Sequence, residues 1–177
     1  PTLTVYVGND LDAFDQEVAS CISQISKPAN EYWAIYAGTL GASYDLATLI
    51  EAAHLAEQTL QNNPTNTKTL RVKILGDGPD RETLEALASR IDAPIDFLGY
   101  VTHDIMAAYL ALSDVTINSL KASAPQSIVT KIGDYLASGH PMINTGSSPE
   151  FRHKVDHDGF GVNVEAEKVD ALAAALL

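Results

Sequence analysis

The sequence has little cysteine, few basic residues and no long hydrophobic run, and each shortage excludes a class of protein. Cys21 is the only cysteine among 177 residues, so an internal disulfide cannot form and a reducing compartment is favoured. No apolar run approaches the roughly 20 residues that a membrane-spanning helix needs, and no signal-peptide pattern opens the chain. The sequence therefore predicts a cytoplasmic location.

Basic side chains are scarce as well. Lys and Arg together number 11 against 23 Asp and Glu, and the net charge is −12. Binding to nucleic acid or to anionic lipid requires a basic patch, so we expect this chain to bind no nucleic acid and to make no direct membrane contact. If the full-length protein works peripherally at the inner face of the plasma membrane, another part of it must supply that contact.

Hydrophobic residues are present in ordinary supply. They make up 46% of the chain, which is enough for one core and predicts a single folded domain over residues 1–177. The chain opens at Pro1 without a methionine and stops inside a helical pattern at Leu177. We therefore expect a fragment of a larger protein.

Short β-rich runs alternate with longer helical patterns along the chain. This alternation predicts the α/β class, as a Rossmann-like doubly wound parallel sheet covered by helices on both faces. The predicted strands are residues 2–7, 32–37, 70–75, 95–98, 115–118, 141–144 and 161–164. The predicted helices are residues 44–61, 81–90, 104–112, 126–138, 149–155 and 168–177, and the acidic stretch after the first strand is loosely helical. Ligands bind such sheets at the carboxyl ends of the strands, where loops begin at Gly38, Gly76, Gly99 and Ser119.

The predicted helix over residues 126–138 has two chemically different arcs. One arc is polar and the other apolar, and periodicity alone is typical of an ordinary solvent-exposed face. The mixed polar groups, with Ser123 as an N-cap and Pro125 in the first turn, instead favour a phosphate site at the helix N-terminus. The polar arc holds Gln126, Ser127, Thr130, Lys131 and Asp134, and the apolar arc holds Ile128, Val129, Ile132, Tyr135 and Leu136.

The glycine turn that begins at Gly38 is the second candidate site. Gly38 and Gly41 could let the backbone approach a phosphate, although a plain strand-to-helix loop is equally consistent. The turn is neither a dinucleotide fingerprint nor a Walker loop. The pair Asp77-Gly78 is more typical of turn chemistry than of binding.

The histidines indicate no metal site and no catalytic triad. His153, Asp156, His157 and Asp158 have a spacing that fits no standard zinc pattern, so a solvated loop is favoured. His103, like His54, has no nearby nucleophile in the sequence.

Four segments in a fixed order are similar to a known family. They are residues 34–40 (AIYAGTL), 74–79 (ILGDGP), 97–100 (FLGY) and 131–141 (KIGDYLASGHP). From residue 32 to the end, the chain resembles the C-terminal domain of the group 1 retaining GT-B glycosyltransferases. It is most similar to the bacterial members that build capsule and exopolysaccharide.

The resemblance implies a nucleotide-diphosphate sugar as donor and roles for particular residues. Asp134 would hold the ribose hydroxyls, and Gln126, which stands where the family usually has Glu, would contact the donor sugar. Lys131 and backbone N–H groups near Ser127 would bind the diphosphate, because Thr39 and Tyr44 replace the family's frequent Arg and Lys. The implied catalytic residues are Gln126 and Lys131, and the implied donor-binding residues are Gly38, Thr39, Gly41, Gly99, Tyr100, Val101, Ser127, Thr130 and Asp134.

The resemblance also implies a reaction without a cofactor or a metal. The acceptor would be a polysaccharide or a lipid-linked sugar, held mostly by a missing N-terminal domain that closes the crevice. This fragment alone would bind donor weakly and catalyse nothing. Two other hypotheses stay open at this point, a sugar-nucleotide epimerase of similar fold and a non-catalytic flavodoxin-like binding domain.

Overall fold

The computed structural model describes residues 8–124 and 129–177, in which helices and strands alternate. The strands are β1 (Glu31–Ala37), β2 (Thr69–Leu75), β3 (Ile95–Gly99), β4 (Val115–Asn118), β5 (Met142–Asn144) and β6 (Gly161–Asn163). The α-helices are α1 (Leu11–Cys21), α2 (Leu46–Gln61), α3 (Arg81–Arg90), α4 (His103–Ala111), α5 (Ile132–Ala137), α6 (Pro149–Asp158) and α7 (Val169–Ala175), and a 3-10 turn (Ile22–Gln24) follows α1. Most predicted elements are confirmed to within two or three residues, whereas the predicted strand 2–7 lies outside the described residues.

The six strands form one sheet in the order β3-β2-β1-β4-β5-β6, and every neighbouring pair is parallel. This is the strand order of the doubly wound nucleotide-binding fold, with its reversal point between β1 and β4. The predicted fold class is therefore confirmed.

Two apolar layers, one on each face, hold the helices to the sheet. Side chains alternate along β1, so that Ala34 and Tyr36 pack on one face with α2, α3 and α7. Trp33 and Ile35 pack on the other face with α1, α4, α5 and α6. This two-sided burial explains why the strand reads as an almost continuous apolar run.

Helix α1 is better defined than the loose helical pattern of its sequence suggests. Asp10 caps its N-terminus, where Oδ1 accepts a hydrogen bond from the Ala13 N–H at 3.1 Å. Phe14 is buried on the face that carries α4. Its packing places residues just before α1 beside α5.

The helix predicted over residues 126–138 is shorter where the structure describes it. Helix α5 spans Ile132–Ala137 after a turn at Thr130 and Lys131, and the predicted start of the helix lies outside the described residues. Of the predicted apolar arc, Ile132 and Tyr135 are buried, whereas Leu136 is 42% exposed. In a helix of six residues, Ile132 and Tyr135 already cover the inward face, which leaves Leu136 turned aside.

No helix within residues 8–124 or 129–177 has the length and apolar character needed to cross a membrane.

Candidate functional site

The reversal point of the sheet brings together the loops that follow β1 and β4. The chain leaves β1 toward α2 on one face and leaves β4 toward α5 on the other, so a crevice opens between the two strand ends. The loops are tied to each other, since Ser119 Oγ donates to the Asp45 carbonyl at 2.8 Å and the Lys121 N–H donates to the Ser43 carbonyl at 3.1 Å. Gly38 and Ser119, the predicted starts of two binding loops, lie at this crevice.

The loops after β1, β2 and β3 pack backbone against backbone. The Gly38 N–H donates to the Leu75 carbonyl at 2.8 Å, and the Gly76 N–H donates to the Gly99 carbonyl at 2.7 Å. A Cβ on Gly76 would lie 1.9 Å from the Gly38 oxygen, so no larger residue fits there. The turn predicted at Asp77 is present, with its Oδ1 accepting from the Gly78 N–H at 2.7 Å.

These loops enclose a cavity of about 300 Å³ beside α4. Four predicted donor-binding residues line it together, namely Gly38, Thr39, Tyr100 and Val101. Asp77 and Met106 also line the cavity, although the sequence indicated only a turn at Asp77. A mostly apolar cavity with a few polar groups at its rim suits a flat ring with polar edges.

Gly99 and Gly41 support this surface without lining the cavity. Gly99 has φ +74°, and a Cβ there would lie 3.0 Å from the Arg81 guanidinium. The Gly41 carbonyl accepts from the Tyr44 N–H at 2.9 Å and so turns Tyr44 back toward the crevice.

Lys131 places its amine at the crevice, close to Gly38. A Cβ built on Gly38 would lie 3.2 Å from Nζ. The amine is buried and has no hydrogen-bond partner among the described residues. Its Nζ lies 3.9 Å from the ring centre of Tyr36, 4.4 Å from that of Tyr44 and 5.9 Å from that of Tyr135. Burial lowers the pKa of Lys131 well below its usual value.

The three aromatic rings around Lys131 are fixed by their own packing and hydrogen bonds. The Tyr36 hydroxyl donates to the Thr39 carbonyl at 2.7 Å, and the Tyr135 hydroxyl accepts from the Ala37 N–H at 2.8 Å. Tyr36 and Tyr44 meet edge to face with ring centres 5.8 Å apart. Burial raises the pKa of both Tyr36 and Tyr135, so each stays neutral.

Asp134 points to a neighbouring polar cluster. Its Oδ1 accepts from Asn9 Nδ2 at 2.8 Å and lies 3.2 Å from His103 Nε2. The other ring nitrogen of His103, Nδ1, lies 2.6 Å from Glu17 Oε2. Both contacts to Asp134 end on Oδ1, so Oδ2 can accept hydrogen bonds from a ligand. His103 begins α4, whose Met106 lines the cavity, but neither His103 nor Asp134 is among the described residues that line it.

The pKa of His103 depends on its burial and on its neighbours. Burial alone would lower its pKa, but the hydrogen bond to Glu17 and the charges of Asp134 and Glu17 outweigh that effect and raise it.

Of the remaining predicted site residues, Gln126 and Ser127 lie outside the described residues. Thr130 is exposed, and its carbonyl accepts from the Gly133 N–H at 3.3 Å. Among the described residues, the structure thus brings Lys131, Gly38 and Thr39 together at the crevice, whereas Asp134 contacts Asn9 and His103.

Sequence reasoning missed the tyrosines and His103. The alternation along residues 31–37 identifies Tyr36 as inward-facing, but it gives no sign of a lysine arriving from a distant helix. His103 was considered only as a member of a triad, whereas its partners Glu17 and Asp134 are 86 and 31 positions away in sequence.

The carboxyl ends of β4, β5 and β6 carry a ladder of asparagine side chains. Asn118 Nδ2 donates to Asn144 Oδ1 at 2.8 Å, and Asn144 Nδ2 donates to Asn163 Oδ1 at 2.8 Å. The parallel register sets these residues directly side by side. The amides therefore pair along this end of the sheet, while the buried Asn118 Oδ1 has no hydrogen-bond partner among the described residues.

The acidic and histidine residues of α6 do not converge on one point. His157 Nδ1 contacts Asp158 Oδ1 at 2.8 Å, while Asp156 Oδ1 accepts from Asn163 at 2.8 Å. Within the described ranges, no group of three or more His, Cys, Asp or Glu side chains is arranged to hold a metal ion.

Known proteins of similar sequence are sugar transferases. The chain is 26% identical over 166 residues to the putative colanic acid biosynthesis glycosyl transferase WcaI of Escherichia coli (strain K12), which covers 92% of this chain and 39% of that protein. The chain thus spans well under half the length of this relative.

Two solved structures of similar fold are also longer than this chain. A glycosyltransferase from Rickettsia africae ESF-5 superposes with a TM-score of 0.73 at 17% identity, covering 97% of this chain and 45% of that one. Anabaena Alr3699/HepE, solved in complex with UDP and glucose, superposes with a TM-score of 0.69 at 17% identity, covering 97% of this chain and 45% of that one. At such identities the likeness establishes the fold, which is that of one half of a GT-B enzyme.

The model of one protein family matches most of the chain. It is described as "Glycosyl transferases group 1" and matches residues 31–177. That range begins at β1 and includes the glycine loops, the cavity, Lys131 and Asp134. The chain belongs to the group 1 glycosyl transferase family.

Proposed function

We propose that this chain is the donor-binding half of a retaining glycosyltransferase that takes its sugar from a nucleotide-diphosphate sugar. The observation that carries the proposal is the buried amine of Lys131, which lies without a partner among the described residues beside Gly38. A buried amine beside a glycine at the reversal point of the sheet is where an anionic ligand gains most.

The surroundings of Lys131 fit the other parts of such a donor. The cavity lined by Thr39, Tyr100 and Val101 has room for the base. Asp134 Oδ2, for which the described residues offer no partner, can accept hydrogen bonds from ribose hydroxyls. This order of base, ribose and diphosphate leads from the cavity to the crevice.

The proposed reaction needs no metal and no cofactor. The bond between the anomeric carbon of the sugar and the diphosphate oxygen breaks, while a new bond to the acceptor oxygen forms on the same face. A donor phosphate oxygen takes the acceptor's proton, and Lys131 with backbone N–H groups stabilises the departing diphosphate. The Gln126 amide hydrogen-bonds a sugar hydroxyl without supplying charge.

The acceptor in this proposal is a polysaccharide or a lipid-linked sugar at the inner face of the plasma membrane. It is held by a further N-terminal domain that closes the crevice. The likeness to a putative colanic acid transferase supports an acceptor of the exopolysaccharide type.

Comparing two aspartates in the intact enzyme tests the proposal. Asp134→Asn should reduce kcat/KM for the preferred nucleotide-sugar roughly tenfold to a few hundredfold, since a hydrogen bond to a charged group contributes about 1.5–3 kcal/mol. Asp158→Asn is the matched control, because Asp158 also contacts a histidine but lies on α6. Asp77 is unsuitable as the control because it lines the cavity.

The products decide between the alternatives. The donor is first identified from a panel of nucleotide-sugars, and the product is then examined for a transferred sugar and for its anomeric configuration. An epimerised nucleotide-sugar would instead support the epimerase hypothesis. A lack of nucleotide affinity in the intact enzyme would support a non-catalytic domain. Equal losses for folded Asp134→Asn and Asp158→Asn would show that Asp134 is not a ribose contact.

A further inference from the structure

The amine of Lys131 is enclosed by rings that cannot hydrogen-bond it as water does. Residue 131 as a whole is only partly buried, but its Nζ has almost no accessible surface. The lysine stem thus reaches inward from the turn before α5 and ends between Tyr36 of β1 and Tyr44 of the following loop. An ammonium there keeps the attraction of the ring faces but loses its hydration.

Among the described residues, no carboxylate pairs with the amine to offset this loss. The groups that face Nζ are Tyr36, Tyr44 and, farther away, Tyr135, and burial raises the pKa of Tyr36 and of Tyr135, which stay neutral. Asp134, on the same helix, directs its Oδ1 to Asn9 and His103. Residues 125–128, which lie outside the described ranges, have no ionisable side chain in the sequence. Burial is the only influence that moves the pKa of Lys131, and it moves it downward.

We propose that Lys131 is held in its neutral form in the free protein by a cage of Tyr36, Tyr44 and Tyr135, and that it takes up a proton when a diphosphate binds beside Gly38. The inference rests on the proposed function, because the diphosphate is that of the donor. The balance is simple. One proton passes from solvent to Nζ, and no other bond forms or breaks. The anion supplies the negative charge that the cage lacks, so the charged form becomes favoured.

The cage also explains the substitution at position 44. The family often has a lysine there, and the ammonium group of that lysine would oppose protonation of Lys131. Tyr44 instead places a ring 4.4 Å from Nζ. In this protein the rings therefore position the amine of Lys131, and binding of the donor favours its protonated form.

The first test measures the lysine in the free protein. NMR of the lysine Cε and Nζ groups is recorded against pH, and Lys131→Met identifies the signal of Lys131. We expect Lys131 to lose its proton at lower pH than every other lysine, and saturation with UDP should move this titration back up. A normal titration for Lys131 would overturn the inference, and it would leave nucleotide binding itself intact.

The second test counts protons during binding. UDP is titrated calorimetrically at about pH 8 in two buffers of different ionisation enthalpy, because a terminal phosphate with a pKa of about 6 is then fully ionised. The wild-type protein should take up a fraction of a proton per UDP. Lys131→Arg, which is charged throughout, should bind UDP with no such uptake. Lys154→Met is the control, since Lys154 pairs with Asp158 on α6 and should leave both uptake and affinity unchanged.

Variants of the tyrosine cage test the inference independently if Lys131→Met fails to fold. Tyr44→Phe keeps the ring and should bind UDP like the wild type. Tyr44→Leu removes a ring that stabilises the cation and should weaken UDP binding by roughly twofold to thirtyfold. Equal proton uptake by the wild type and Lys131→Arg would overturn the inference. A complete lack of UDP and GDP binding would overturn the inference and the proposed function together.

Discussion

The two halves of the sheet end in different residues, although all six strands are parallel. The strands of one half lead into glycines at Gly38, Gly76 and Gly99, and those of the other half end in asparagines at Asn118, Asn144 and Asn163. In the glycine half the loops lie backbone against backbone and border a cavity of about 300 Å³. In the asparagine half the side chains bond to each other.

The two sets of strand ends present different groups to their surroundings, and a second cavity of about 380 Å³, lined in part by Thr145 and Arg152, lies beside the asparagine half. Glycines remove side chains, so loop backbones can approach a ligand and each other. Asparagines carry both a donor and an acceptor, so neighbours in a parallel register can pair without a ligand. We therefore expect the glycine loops to contact a ligand and the asparagine ladder to contribute to stability, so substitutions in the two sets of residues should have separable effects.

The largest expected effect is on folding, from Gly76→Ala. A Cβ there would lie 1.9 Å from the Gly38 oxygen, and the residue has φ +131°. Relief requires the loops after β1 and β2 to separate, which should lower the free energy of unfolding by about 4 kcal/mol or more. The melting temperature should fall by roughly 10 °C in a chain of this size.

Gly139→Ala is the matched control for this change. Gly139 also has positive φ, at +73°, but a Cβ there would meet no atom within 4 Å. Its cost should be only the backbone strain, about 1 kcal/mol. Similar melting temperatures for the two variants would show that the loop approach at Gly76 is not tight.

The second effect is the cost of breaking the ladder with Asn144→Ala. The change removes the acceptor for Asn118 Nδ2 and for the Gly146 N–H, and the donor to Asn163 Oδ1. Unsatisfied buried groups make the expected loss of unfolding free energy about 2–3 kcal/mol. Denaturation by urea measures it, and UDP affinity, measured by calorimetry, should be unchanged. A stable variant with weakened UDP binding would reverse the assignment of the two halves.

The sequence predicted the strands and the glycine loops of this comparison, but not the contacts between residues that are distant in the chain. Alternating patterns predicted the strands and helices, and the glycines after three strands pointed to the binding loops. The pairing of Asn118 with Asn144 depends on strand order, which no local pattern encodes. The sequence pattern predicts one amphipathic helix over residues 126–138, with Lys131 on its polar arc. Its amine is instead buried against Tyr36, a contact that only the packing of α5 on β1 creates.

A smaller effect, confined to binding, is expected from Tyr100→Ala. Tyr100 borders the cavity and is 84% exposed, so its removal should change unfolding free energy by less than about 0.5 kcal/mol. If a base stacks on its ring, UDP affinity should fall roughly fivefold to a hundredfold, because such stacking contributes about 1–3 kcal/mol. Leu136→Ala, another exposed apolar residue, is the control and should bind UDP normally. An unchanged UDP affinity for Tyr100→Ala would show that the Tyr100 ring does not contact the base.

The smallest effect is a pH dependence at the polar cluster that adjoins the glycine half. His103 contacts Glu17 and Asp134 at 2.6 and 3.2 Å, and despite partial burial these carboxylates raise its pKa. A raised pKa in the folded state means that protonated His103 contributes stability at pH values below its ordinary value of about 6.5, and that this contribution disappears as the pH rises through the folded-state pKa. His103→Gln should therefore be less stable than the wild type at about pH 6 and nearly equal to it at about pH 9. Because the histidine side chain is 52% exposed, solvent screening keeps the difference below about 1 kcal/mol.

Urea denaturation at both pH values measures this difference in stability, with His54→Gln as control, since His54 contacts Gln58 rather than a carboxylate. A destabilisation of His103→Gln that is the same at both pH values would show that the ion pairs contribute nothing and that the ring acts only by packing.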